Sequence, residues 1–260
     1  VFPIDLDQDG DMDIVSVAHT DNKVRWHANN GAANPSFTDY VIATNIDARG
    51  VHAADINGDG DIDVCVAGGG TNVVRCYNNN GSQGGWQATA VGTGNDTRSI
   101  FIIDLDSDGD LDIISSHKTD YDIEWYENSG ADDPQFQTHE VENGDIDGAV
   151  SVYAADMDND GDIDILGVAQ DTDKIFWFEN NGAADPSFDD HELSFSDAPD
   201  GISSVYAKDM DNDGDMDILS ASANDDAIAW YENNGAADPS FTARSIATSA
   251  DGAASVFAAD

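Results

Sequence analysis

Five aspartate-rich segments of nine residues return along this chain at intervals of about fifty. They read DLDQDGDMD from Asp5, DINGDGDID from Asp55, DLDSDGDLD from Asp104, DMDNDGDID from Asp156 and DMDNDGDMD from Asp209. Each is a string of oxygen donors around one glycine, the chemistry of a calcium loop. In the first, the carboxylates of Asp5, Asp7, Asp9 and Asp13 are expected to converge on one cation, with Gly10 permitting the turn between them. The backbone carbonyl of Asp11 supplies a further oxygen. The corresponding sets are Asp55, Asn57, Asp59 and Asp63 with Asp61; Asp104, Asp106, Asp108 and Asp112 with Asp110; Asp156, Asp158, Asp160 and Asp164 with Asp162; and Asp209, Asp211, Asp213 and Asp217 with Asp215. Hard oxygen ligands in this number favour Ca²⁺ over Zn²⁺, and Mg²⁺ wants fewer carboxylates. About five ions are expected, one per repeat. The second loop, with Asn57 and Gly58, loses one ligand charge and is expected to bind most weakly.

Two other calcium loops fail on spacing. An EF-hand needs Glu at its twelfth position and flanking helices. Those positions here are Ser16, Val66, Ser115, Gly167 and Ser220, inside β-rich runs. A nonapeptide β-roll would recur every nine residues. Asx-turns without metal leave four repelling carboxylates per turn unexplained. If the sites are as weak as extracellular modules usually are, each at ten times its dissociation constant still contributes about 1.4 kcal/mol. Summed over the loops, that rivals the stability of an ordinary domain, so the ions are expected to hold the fold and do no chemistry.

What positions the loops is a repeat. The last Asp of each precedes a Trp or Cys by 13 residues every time: Trp26, Cys76, Trp125, Trp177 and Trp230. Four short strands fit each unit, as in SVYAAD at 151–156, DIVSVA at 13–18, IAWYEN at 228–233 and FTARSIAT at 241–248. Regular short strands between turn signals, without helical period, predict an all-β protein. Units of this length suit β-propeller blades, which bury their faces against one another. The repeats are expected at about 1–50, 51–99, 100–151, 152–204 and 205–255, with 256–260 opening another at Asp260. The chain starts and stops at the same point of the repeat, VFPID and VFAAD, so it is expected to be part of a larger, seven-bladed propeller. A closed five-bladed ring is the alternative.

The metal loop and the NNGAADPS-type turn emerge on one side of each blade. The second-to-third-strand turns and the inter-blade connections emerge on the other. The first side is near-identical among repeats and the second variable, which assigns structure to one and recognition to the other. On the variable side His19, Asp21, His117, Asp120, Asp171, Asp173, Asp225 and Asp226 are candidate contact residues, against the reading of plain turn chemistry.

Composition excludes several classes. Fifty-three acidic residues face nine basic ones, a net charge of −44, which leaves no basic surface for nucleic acid and none for anionic membranes. The loops hold 24 of the Asp, and five Ca²⁺ would leave about −34, so a solvated acidic surface remains. No apolar run nears the ~20 residues that span a bilayer, and any export signal is expected outside this span. Cys65 and Cys76 occupy positions where other repeats carry an apolar residue and Trp. If these face each other across a hairpin they form a disulfide, which fits an oxidising compartment; otherwise they are small buried thiols. The four repeated Trp read as blade-to-blade core rather than sugar-stacking platforms. Asn80 and Asn95 stand in N-x-S/T sequons, informative only in a eukaryote.

The strand-one aromatics Phe2, Phe101, Tyr153, Tyr206 and Phe257 (His52 departs), the DxDxDGDxD loop and the WYENNG segment resemble the FG-GAP/VCBS repeats of integrin α-subunit heads. The resemblance covers the whole chain and implies calcium held by the first, third, fifth and ninth loop residues and the seventh carbonyl. Some relatives accompany carbohydrate-active enzymes. Here His139 and His191 share one repeat position, as do His19 and His117, and no serine-nucleophile or HExxH motif occurs. The expectation is an extracellular or cell-surface, calcium-stabilised, non-catalytic module for adhesion or recognition of a protein or glycan. The alternatives are a building block of a surface or filamentous assembly, contacting neighbouring copies or domains, and the accessory propeller of a carbohydrate-active enzyme.

Overall fold

The computed structural model describes residues 1–81, 85–143, 146–193 and 199–259. Asp260, expected to open a further loop, lies outside them. Among the described residues there are twenty strands and no helix. They form five four-stranded antiparallel sheets, each ordered as the chain runs. Blade one is β1 (Phe2–Ile4), β2 (Asp13–Ala18), β3 (Lys23–Asn29) and β4 (Phe37–Thr44). Blade two is β5 (Ala48–Ala54), β6 (Asp63–Gly68), β7 (Val73–Asn78) and β8 (Gln87–Gly92), and blade three is β9 (Thr97–Ile103), β10 (Asp112–His117), β11 (Asp122–Asn128) and β12 (Phe136–Asn143). Blade four is β13 (Ala149–Ala155), β14 (Asp164–Ala169), β15 (Lys174–Asn180) and β16 (Phe188–Leu193); blade five is β17 (Ile202–Lys208), β18 (Asp217–Ser222), β19 (Ala227–Asn233) and β20 (Phe241–Ala247).

Burial explains the composition of each strand type. The second strands β6, β10, β14 and β18 are buried at every residue. They accordingly read as continuous apolar or small runs rather than alternating ones. The fourth strands are mostly exposed, as in β16 and β20. The tight turns between second and third strands place Asn22, Asn72, Asp173 and Asp226 in the left-handed region, which Asn and Asp tolerate. Tyr121, at φ 64° and exposed, breaks that pattern with a bulky residue.

The chain divides into two compact units, one of residues 1–103, 109–120 and 124–139, the other of 104–108, 121–123 and 140–260. In the first, Leu6, Val15, Val24, Trp26, Val64, Val66 and Tyr77 form a core between blades one and two. In the second, Met157, Leu166, Val168, Ile175 and Trp177 pack with Ile202, Val205, Ile218 and Tyr231. Trp26, Trp125 and Trp177 are core residues, at most 3 % exposed. Cys65 and Cys76 lie directly opposite on β6 and β7 and form a disulfide. In blades one, four and five the same register holds Val15–Trp26, Leu166–Trp177 and Leu219–Trp230.

Candidate metal centres

Each acidic loop joins the first two strands of a blade, and its backbone is set by two left-handed residues. The glycine at position six has φ between 93° and 103° in all five loops, a region closed to other side chains. Position four is also left-handed, held by Gln8, Gly58, Ser107, Asn159 and Asn212 with φ from 57° to 70°. That accounts for Gly58 and for Asn at two of the five positions, a preference the sequence displays but ligand counting overlooks.

Carboxylates converge in four loops. Ligand-capable oxygens of Asp5, Asp7 and Asp13 lie within 4.8 Å of one another, as do those of Asp104, Asp106 and Asp108, of Asp156, Asp158 and Asp164, and of Asp209, Asp211 and Asp217. The second loop makes no such triplet among the described residues. Its third position is Asn57, whose amide donates instead to Asp59 at 3.1 Å.

The expected ligand sets divide by position. Position five turns its carboxylate back onto the loop in four repeats, where Asp9, Asp59, Asp160 and Asp213 accept the N–H of position seven at 2.9 to 3.0 Å. Position seven points its side chain elsewhere: a Cβ on Gly31, Gly130, Gly182 or Gly235 would collide with Asp11, Asp110, Asp162 or Asp215. Those four aspartates therefore face the NNG-type turn, leaving a backbone carbonyl as the oxygen position seven can offer a cation.

Position nine is the most constrained. Asp13, Asp63, Asp112, Asp164 and Asp217 are at most 1 % exposed. The Oδ1 of each accepts the N–H of an asparagine sixteen residues on, Asn29, Asn79, Asn128, Asn180 or Asn233, at 2.7 to 2.8 Å. Four of them also accept the N–H of loop position two on Oδ2, at 3.0 to 3.2 Å. This carboxylate is thus a turn anchor, and each of its oxygens keeps a second lone pair with which it could also face a cation. The fixed interval of sixteen was the available signal for the asparagine.

The electrostatics fit a cation. Burial pushes Asp63 and Asp164 up to about 7, against the hydrogen bonds they accept. Burial also raises Asp7, helped by repulsion from Asp13, Asp9 and Asp5, and raises Asp158. Asp156 Oδ1 is buried without a hydrogen-bond partner in loop four. Crowded, partly desolvated carboxylates with an unused oxygen make a hard donor set that suits Ca²⁺.

Beside the first loop is a cavity of about 120 Å³ lined by Asp7, Gln8, Trp26, Asp61, Asn79 and Trp86. Trp86 stands where other repeats carry Phe37, Phe136, Phe188 and Phe241.

On the opposite face most of the expected contact residues serve turns. Asp21 pairs with Lys23 and Arg25, Asp120 accepts both the N–H and the side-chain amide of Asn95 at 2.7 Å, and Asp173 and Asp226 accept the N–H groups of Gly201 and Gly252. The Asn95 amide of the second sequon is thereby engaged, while Ser82 of the first lies outside the described residues. His117 is a correction: it is fully buried on β10, not on a loop, bonded to Thr97 and Ser115 at 3.1 and 2.9 Å. His139 and His191 stack on Trp125 and Trp177.

The FG-GAP-like repeat pattern matches this chain over residues 5–66, 55–115, 108–167, 156–220 and 209–260. No curated protein matches its sequence. Among solved structures it is similar to an Agrocybe aegerita lectin that recognises non-reducing terminal N-acetylglucosamine, at 19% identity and TM-score 0.62, over 96% of this chain and 66% of that one. It is similar to the V. cholerae biofilm matrix protein Bap1, at 19% identity and TM-score 0.53, over 92% of this chain and 37% of that one. It is also similar to the Pseudomonas aeruginosa periplasmic gluconolactonase PpgL, at 13% identity and TM-score 0.63, over 96% and 70%. The chain thus spans just under two thirds of the lectin and little more than a third of the matrix protein. At these identities the likeness shows the fold, and the five sheets are propeller-type blades.

Proposed function

This chain belongs to the FG-GAP-like repeat family, and on that premise we propose that it is a calcium-stabilised recognition module of the cell exterior whose ligand is a glycan. The observation that carries the reading is the convergence of three carboxylates within 4.8 Å in four of the loops. Asp5, Asp7 and Asp13, Asp104, Asp106 and Asp108, Asp156, Asp158 and Asp164, and Asp209, Asp211 and Asp217 would hold the ions, with the seventh carbonyls and water completing each shell. A bound ion would neutralise the carboxylates and close the loop between first and second strands. It supplies no reactive group.

The glycan side of the proposal draws on the cavity beside loop one. The half-buried indole of Trp86, with two carboxylates and two amides around a small hollow, suits the apolar face and hydroxyl edge of a sugar ring. The buried Cys65–Cys76 disulfide supports an oxidising location. The lectin among the structural neighbours supports a sugar ligand and the biofilm matrix protein an external setting. No reaction is assigned to this span.

Melting with millimolar Ca²⁺ and with EDTA, followed by glycan-panel binding of the native chain and Trp86→Ala, tests both halves. The midpoint should fall by more than ten degrees in EDTA, about 6 kcal/mol for four sites at ten times their dissociation constants. Glycan binding should be lost in the variant. An unchanged midpoint overturns the calcium reading, and a native chain that retains no glycan overturns the ligand.

A further inference from the structure

In blades three, four and five an asparagine ties the acidic loop to the one before it. Asn233 is fixed to loop five by its N–H, which donates to Asp217 Oδ1 at 2.8 Å. Its Nδ2 then donates to two carbonyls, that of Met216 in the same loop and that of Met157 in loop four, both at 2.9 Å. Asn180 repeats the arrangement with Asp164 at 2.8 Å, Ile163 at 2.9 Å and Leu105 of loop three at 3.2 Å. Asn128 does so with Asp112 at 2.8 Å, Leu111 at 2.9 Å and Ile56 of loop two at 2.8 Å.

The residue reached in the preceding loop is always position two, and its place matters. Met157 stands between Asp156 and Asp158, two of the three converging carboxylates. Its N–H is held at 3.0 Å by Asp164, the third. Its side chain is fully buried, as those of Leu6, Ile56 and Leu105 nearly are. Both peptide planes around Met157 are therefore fixed, one by loop four's own carboxylate and the other by loop five's asparagine. These planes set the directions from which Asp156 and Asp158 approach a cation.

We propose that Asn233 and Asn180 are positioning residues that couple cation binding at adjacent loops, so that filling one site raises the affinity of the next. The proposal rests on the reading that the loops take calcium. An ion in loop five holds Asp217, and Asp217 holds Asn233, whose amide then orders the backbone between two ligands of loop four. Loop four binds at a smaller entropic cost, and by linkage the effect is mutual.

The test is a site-resolved calcium titration of the full chain, reading the amide resonances of Gly161 and Gly214. Both N–H groups donate to the first aspartate of their loop, Asp156 and Asp209, at 3.1 Å. Asp211→Asn weakens loop five about tenfold, so that it stays largely empty while loop four fills, and should raise the calcium midpoint at Gly161 severalfold, within the usual range for coupled sites. In an Asn233→Ala background, which keeps the N–H bond to Asp217, the same Asp211→Asn change should leave that midpoint unmoved. Asn159 of loop four also reaches Asp215 of loop five at 2.7 Å, but on the exposed surface, so Asn159→Gly, which keeps the left-handed turn as Gly58 does in loop two, should preserve the coupling. The Asn180→Ala and Asp158→Asn pair, read at Gly109, repeats the experiment on loops three and four if Asn233→Ala fails to fold. Equal shifts with and without the asparagine, or none in either, overturn the proposal while calcium binding stands. Resonances indifferent to calcium in the native chain overturn the calcium reading itself.

Discussion

The imidazole of His191 lies flat against the indole of Trp177, centroids 4.4 Å apart and planes inclined by 21°. His191 is directly opposite Trp177 across β15 and β16, and Glu179 anchors its Nε2 at 2.9 Å. His139 covers Trp125 in the same way with Glu127, Tyr40 covers Trp26, and Arg244 sits over Trp230 with Glu232. A planar group pinned over each tryptophan closes the outer edge of the blade. Trp177→Ala should cost about 3–5 kcal/mol. His191→Ala should cost only about 0.5–1.5 kcal/mol, the worth of the stacked pair. Urea unfolding of both variants at fixed calcium measures the difference.

Asp158 and Asp164 are both expected ligands, but only the second also holds the turn. Asp164→Ala should lose about 2–4 kcal/mol even in EDTA, because the N–H groups of Met157 and Asn180 lose their acceptor in the interior. Asp158→Asn should weaken calcium binding about tenfold, the loss of one ligand charge. In EDTA it should melt no lower than the native chain, since it removes a charge crowded by Asp160, Glu179 and Asp156. Calorimetry with and without chelator separates the two roles.

His52 replaces the aromatic of the other first strands and is clasped between Phe2 and Phe101, at 4.4 and 5.0 Å. Its Nδ1 is buried without a hydrogen-bond partner, and burial depresses the imidazole to about 4 from 6.5. The folded state keeps His52 neutral, so its contribution is complete above pH 6.5. It is lost as pH falls toward 4, when the unfolded chain takes up a proton the folded chain refuses. The loss approaches about 3 kcal/mol. His52→Phe should remove that part of the acid limb. Its urea midpoint relative to the native chain should rise between pH 7 and pH 4.5, at one calcium concentration.

Cys65–Cys76 closes a loop of eleven residues. Reduction, or replacement of both by serine, should cost about 2–3 kcal/mol. A native and a reduced sample compared in calcium and again in EDTA should show nearly the same increment, because the loop of this blade already lacks one carboxylate.

The acidic loops, their period, the four-stranded blades and the buried tryptophans were legible because each depends on residue type at short spacing. Asp13 and its counterparts stood out in the sequence as expected ligands but not as anchors, since the anchoring role needs an N–H sixteen residues away. The shared position of His139 and His191 was visible, but not the tryptophan beneath it: which residue of the fourth strand opposes Trp177 is decided by register, which no local pattern encodes. His117 misled for a similar reason. It follows a stretch that reads as the end of a strand and the start of a polar turn, and only the packing around it reveals an interior site.

His117 occupies the place of Ala18, Gly68, Ala169 and Ser222 in the other repeats, one residue before that of His19, so the two histidines do not share the repeat position expected of them. It fits because Gly94 precedes its blade, where a Cβ would strike the imidazole, while Asn45, Ile146 and Pro199 stand at the matching positions elsewhere. Modules this alike look freely exchangeable by recombination. Yet a third module moved without its leading glycine, or another inserted behind that glycine, would meet a collision or a void. At this joint the array can lengthen or shuffle only by carrying both residues together.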